Sequence, residues 1–129
     1  MKAIAMFLTG KHVLVVEDNM LNLIVVKAFL MRWGAKVTHA NNGQECLDMA
    51  SSQGFDLILM DIMMPIMDGL TASKTLRERS CEVPILALTA TALEDEAKTI
   101  QASGMNGVLL KPFRPDDLEA KIRDYVPAA

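Results

Sequence analysis

Only two cysteines occur in the sequence, Cys46 and Cys81, and neither has a neighbouring Cys or His. That spacing suits neither a zinc site nor a disulfide framework, and both read as reduced thiols of a cytoplasmic protein. Basic residues are not in excess: 13 Lys and Arg face 16 Asp and Glu, a net charge of −3, and the cations are scattered rather than clustered. Direct nucleic-acid binding is therefore disfavoured, since nothing draws the chain toward a phosphate backbone. Long apolar runs are missing too. The longest near the start, Ala3 to Leu8, falls far short of the roughly 20 residues a membrane span needs, and no small-residue cleavage site follows it to suggest a signal peptide. Met1 to Lys11 reads as an N-terminal extension or linker, and residues 127–129 as a C-terminal tail. No internal repeat or low-complexity tract is present.

What is there is an ordinary globular composition: 129 residues, 51% apolar and 22% charged, with ten methionines that serve mostly as core filler. Such a length fits one hydrophobic core, with no room in it for a second, output domain. Apolar runs of strand length alternate with segments of helical period. The strands are expected at His12 to Val16, Ala35 to His39, Leu57 to Met60, Pro84 to Leu88 and Gly107 to Leu110. Helices are expected from about Asn19 to Trp33, Gln44 to Ser51, Gly69 to Arg79 and Ala92 to Ser103, with a fifth opening at Pro115. Gly34 and Gly104 stand where the first and fourth of these should stop. Near-continuous Val, Ile and Leu in the strands implies helices on both faces of a parallel sheet. The expected fold is a doubly wound, flavodoxin-like (βα)5 three-layer sandwich with a five-stranded parallel sheet.

Ligand sites in such sheets lie beyond the carboxyl ends of the strands. The hydrophilic residues there are Glu17 and Asp18 after the first strand, Asp61 after the third, Thr89 after the fourth and Lys111 after the fifth. Three carboxylates at one edge repel one another unless a cation joins them. Magnesium suits the donor set, because it prefers oxygen ligands and is held by one or two carboxylates together with waters and phosphate oxygens. Asp18 and Asp61 are placed to ligate directly and Glu17 through a water. A carboxylate can also attack a phosphoryl group to form an aspartyl phosphate. Lys111 then supplies compact positive charge and Thr89 a hydroxyl donor for the spread charge of the phosphoryl oxygens.

The segments VLVVEDN (Val13 to Asn19), DIMMPIMDG (Asp61 to Gly69), LTA (Leu88 to Ala90) and KPF (Lys111 to Phe113) resemble the response-regulator receiver domains of two-component signalling. The resemblance spans His12 to Val126, which is read as the receiver domain. It implies that Asp61 accepts a phosphoryl group from a phosphohistidine of a histidine kinase or histidine phosphotransfer domain. It further implies that Glu17, Asp18, Asp61 and the Met63 backbone carbonyl bind magnesium, and that Thr89 and Lys111 sense the phosphate and switch the conformation. Asn22, Gly34, Val37, Ala40 and the turn Asn42-Gly43-Gln44-Glu45 are especially similar to receivers of hybrid histidine kinases, although a stand-alone receiver fits as well. One position departs from the pattern: the family's aromatic switch residue, three places before the lysine, is here Val108.

Taken singly, these residues have bland readings. Glu17 and Asp18 alone would be a solvated loop or helix cap, Thr89 a capping hydroxyl and Lys111 a surface charge; their coincidence at the strand ends reverses that. Asp68 and Gly69 read as a turn and helix start, Trp33 as core, and His12 and His39, placed on strands at the far edges, as structural. Haloacid-dehalogenase-type phosphatases also place a nucleophilic aspartate after a strand, but their second acid two residues on is here Met63. Turnover of exogenous substrate is therefore not expected, only self-phosphorylation and autodephosphorylation at Asp61. A flavin module would need phosphate-cradling residues where Glu17, Asp18 and Asn19 stand. A receiver-like module that signals without phosphorylation is a further alternative.

At roughly 100° per residue, Val25, Val26, Phe29 and Trp33 form a stripe of the first helix assigned here to the sheet. Met20, Leu23, Ile24 and Met31 then form an outward apolar stripe. This second stripe reads as the docking surface for a helix of the phosphohistidine donor. The competing readings are that the apolar segment Ala3 to Leu8 or a second copy of the chain, in a homodimer, covers it.

Overall fold

A computed structural model describes residues 6–90 and 94–126. The expected C-terminal tail, the expected fourth-helix start at Ala92 and the first residues of the N-terminal extension lie outside the described residues. Strands and helices alternate: β1 (His12–Val16), α1 (Met20–Arg32), β2 (Lys36–Ala40), α2 (Gly43–Ser52), β3 (Leu57–Asp61), α3 (Gly69–Glu78), β4 (Ile85–Thr89), α4 (Glu94–Ala102), β5 (Gly107–Leu110) and α5 (Pro115–Arg123). The strands form one parallel sheet in the order β2-β1-β3-β4-β5. This is the doubly wound sandwich the sequence implies.

Alternation along β1 divides the core. Val13 and Val15 point to one layer with Leu23, Val26, Leu30, Leu118 and Ile122 of α1 and α5. Leu14 and Val16 point to the other, against Leu47, Leu76 and Ile100 of α2, α3 and α4. Every residue of β3 and β4 is buried, as internal strands covered on both faces require. β1 is internal too, so His12 is not at a sheet edge. Its ring bonds Thr38 Oγ1 and the Gly54 carbonyl and packs on Phe55, a structural role.

Several boundaries differ from the sequence reading by one residue, for reasons visible in the hydrogen bonds. Ala35 donates its N–H to Leu30 O at 3.0 Å, closing the last turn of α1 from outside the helix rather than joining the sheet, and β2 starts at Lys36. Pro84 has no N–H for the ladder, so β4 begins at Ile85. Asp61 and Thr89 are the last rungs of their strands rather than the loops beyond, with Asp61 in register with Leu88 and Thr89 with Leu110. Asn19, Asn42 and Asp68 cap α1, α2 and α3, each side chain accepting a backbone N–H from three residues on. Gly34 and Gly104 take the left-handed conformation, with φ of 96° and 93°, where α1 and α4 end.

The phase of α1 corrects the sequence reading. Its buried seam is Leu23, Val26 and Leu30, running on to Trp33. Leu23 is 7% exposed and Ile24 56%, so Leu23 is a core residue and not part of the outward stripe. Val25, assigned above to the sheet, is exposed, and Phe29 is half-buried. A helix apolar on both sides has no periodic contrast to phase it; the spacing of three and four residues from Leu23 does. The outward face carries Met20, Leu21, Ile24, Val25 and Met31.

Ahead of His12, Phe7 and Leu8 are buried in the α1/α5 layer. Leu8 donates its N–H to Trp33 O at 2.9 Å, the Phe7 and Trp33 ring centroids are 5.2 Å apart, and the Arg123 guanidinium lies 4.1 Å over Phe7. These two residues therefore pack on Trp33 and α5 rather than cover the outward stripe.

Candidate functional site

Because β1, β3, β4 and β5 are consecutive in the sheet, their carboxyl ends stand side by side. Neighbouring strands lie about 4.8 Å apart, which brings the acids after β1 onto the acid ending β3. Glu17, Asp18 and Asp61 each offer a carboxylate oxygen within 4.8 Å of the others. Lys111 follows β5, two strands from β3, and its four-carbon stem spans the gap. Its Nζ donates to Glu17 Oε2 at 3.3 Å and to Asp61 Oδ2 at 3.4 Å. Thr89, buried at the end of the intervening strand, accepts the Lys111 N–H on its carbonyl at 2.8 Å.

Glu17 is held on every side. Its N–H donates to Ala40 O at 3.0 Å, its carbonyl accepts from His39 Nε2 at 2.7 Å, and its Oε1 accepts the Asn19 N–H at 3.1 Å. Burial, and next the charge of Asp61, raise its pKa above the usual 4.5, against the opposing pull of the Asn19 N–H and of Lys111. Asp61 is buried, and its Oδ1 accepts the Met63 N–H at 3.3 Å. Asp18 is exposed. Three carboxylates thus cluster beside the Lys111 ammonium, and their oxygens suit an oxygen-ligated divalent cation.

Of the other residues singled out in the sequence, Met63 has an exposed side chain and a backbone amide at the Asp61 carboxylate. Val108 of β5 pairs with Ala87 of β4 and packs, half-buried, against the α2/α3/α4 side of the core. Met20, Ile24 and Met31 lie on the outward face of α1, and Leu23 does not. A cleft of about 440 Å³ between α1 and the segment after β5 opens beside Glu17 and Lys111, lined by Asn22, Val25 and Phe113 among others.

Two residues matter here to which the sequence reading gave only structural roles. At Gly69 a Cβ would strike the Asp61 carbonyl oxygen, so the first turn of α3 can sit directly on the end of β3 only with glycine there. The signal was a glycine at the first position of a helix, where propensity does not favour it. His39 bonds the Glu17 carbonyl from β2, and no local motif announces that contact.

Residues 13–123 match the family model of the response regulator receiver domain. The chain belongs to this family. As a receiver domain of two-component systems, it is 36% identical over 117 residues to the transcription factor SKN7 of Saccharomyces cerevisiae, which covers 91% of this chain. The chain spans only 16% to 21% of the length of three fungal relatives. Among solved structures, the receiver domain of sensor histidine kinase PA1611 from Pseudomonas aeruginosa has a TM-score of 0.83 and 37% identity, covering 91% of this chain and 98% of that one. That receiver holds a magnesium ion in its active-site cleft. The receiver domain of Ssk1, solved in complex with the histidine phosphotransfer protein Ypd1 of Saccharomyces cerevisiae, has a TM-score of 0.85 and 30% identity, covering 90% of this chain and 88% of that one. Among the described residues, no helix is long and apolar enough to cross a membrane.

Proposed function

We propose that Asp61 is the phosphoacceptor of this receiver domain and that a phosphohistidine of a histidine kinase or histidine phosphotransfer domain is its donor. The observation that carries this is Lys111 Nζ reaching both Glu17 and Asp61 at the shared strand edge. An Asp61 carboxylate oxygen forms the new bond to phosphorus, the phosphorus–nitrogen bond to the donor imidazole breaks, and the imidazole keeps that electron pair. Lys111 and the Thr89 hydroxyl stabilise the phosphoryl oxygens. Glu17, Asp18, Asp61 and the Met63 carbonyl would hold Mg2+, which neutralises charge on the transferring group. Water then cleaves the acyl phosphate, releasing inorganic phosphate and returning the carboxylate, so the chemistry is confined to phosphorylation and dephosphorylation of its own Asp61.

New contacts to the phosphate at Thr89 and Lys111 drive the conformational response, and Val108 gives it no aromatic ring to move. The donor docks on the outward face of α1 at Met20, Ile24 and Met31, with Leu21 and Val25 in the place first given to Leu23. A second copy of the chain competes for that face. The domain is cytoplasmic, does not bind nucleic acid itself, and includes Phe7 and Leu8 along with residues 12–126. The test is transfer from a phosphorylated histidine phosphotransfer protein in Mg2+: label should pass to this chain and be released by hydroxylamine, as an acyl phosphate requires. Retention of the label on the donor would contradict the assignment.

A further inference from the structure

We propose that His39 is a positioning residue for the metal-binding acids, its Nε2–H holding the Glu17 carbonyl so that Asp18 is aimed at the cation. The inference rests on the reading of Glu17, Asp18 and Asp61 as the Mg2+ site. A backbone carbonyl can only accept a hydrogen bond, so the 2.7 Å contact requires His39 to carry its proton on Nε2. Two successive residues of β2 thereby bracket Glu17, Ala40 O accepting its N–H and His39 gripping its C=O. The gripped carbonyl belongs to the peptide joining Glu17 to Asp18. Since that peptide is planar and trans, fixing its oxygen fixes the direction in which the Asp18 Cα leaves the strand.

Asp18 depends on this more than its neighbours do. Glu17 is anchored by Asn19 and Lys111, and Asp61 by Met63 and Lys111. Asp18 is exposed, and its carboxylate has no hydrogen-bond or ion-pair partner among the described residues, so its backbone alone sets its place before a cation arrives. Groups that orient ligands from behind typically change metal affinity 10- to 100-fold when lost. His39 does this from the edge strand without touching the cation.

The test is Mg2+ titration by calorimetry at neutral pH on the wild-type chain and on His39→Leu, His39→Gln and His39→Asn, alongside melting in chelator. Gln places an N–H near the Nε2 position, whereas Asn is too short to reach Glu17. We expect Kd to rise about tenfold in the Leu and Asn variants and to stay near wild type in Gln. If the Leu variant does not fold, the Gln and Asn pair makes the same comparison. Wild-type affinity in the Asn variant, or a Gln variant as weak as Asn, would overturn this inference alone. No Mg2+ binding by the wild-type chain would overturn the metal-site reading and this inference with it.

Discussion

The carbonyl oxygen of Asp61 occupies the place a β-carbon on Gly69 would need. Gly69 also donates its N–H to Ile62 O at 2.9 Å, so α3 begins in contact with the end of β3. Gly69→Ala must push the two apart, and overpacking of this kind costs roughly 1 to 3 kcal/mol. Urea unfolding should register that loss, and Mg2+ affinity should fall with it. Gly54 has open space around its missing side chain, and Gly54→Ala should stay within about 0.5 kcal/mol of wild type. Equal stability of the two variants would refute the contact.

Glu17 is a buried acid whose folded-state pKa is raised above 4.5, first by burial and then by Asp61. Folding thus favours its protonated form. In chelator, this contribution to stability is present in full below pH 4.5 and is lost as pH rises through the higher folded value. Glu17→Gln removes the penalty, and near neutral pH it should stabilise the metal-free chain by about 1 kcal/mol while weakening Mg2+ binding. Thermal melts with and without Mg2+ check both signs, and a less stable Gln variant in chelator would count against the electrostatic account.

Adjacent residues of α1 should behave in opposite ways. Leu23 is buried, and Leu23→Ala should cost about 2 to 5 kcal/mol. Ile24→Ser, on the outward face, should leave stability within about 0.5 kcal/mol. It should slow transfer from a phosphohistidine protein while labelling by acetyl phosphate stays normal. Equal slowing with both donors would remove the docking role, and loss of a dimer would assign the face to a second copy.

The strands and the four strand-end positions are legible because continuous Val, Ile and Leu runs end abruptly in Glu17, Asp61, Thr89 and Lys111. Residues at the carboxyl ends of adjacent parallel strands must then meet. The phase of α1 is not legible, since Met20, Leu21, Ile24, Val25 and Met31 are as apolar as the seam they flank. His39 is hidden for a different reason: its contact joins strands across the sheet, and nothing local distinguishes it from a filler histidine. Gly69 was readable only as a helix start, because the oxygen it avoids belongs to another element.

Under the proposed function, Thr89 and Lys111 stabilise the phosphoryl oxygens during transfer and then, through the same contacts, drive the response. Hydrogen bonds to a charged group contribute about 1.5 to 3 kcal/mol each, enough to shift a two-state equilibrium. Phosphorylation of the wild type should shift amide resonances in β5 and α5, and Thr89→Ala and Lys111→Ala should still acquire phosphate, more slowly, but lose those shifts. Unchanged spectra in both variants would place the switch in other residues.

The carboxylate cluster is proposed to make Asp61 a metal-dependent phosphoacceptor. The most direct test is the intact mass of the chain after incubation with acetyl phosphate, with and without Mg2+, for the wild type and Asp61→Asn. One added phosphoryl group is expected on the wild type, only with Mg2+, and none on Asp61→Asn. Labelling that persists in chelator, or that survives the substitution, would contradict that assignment.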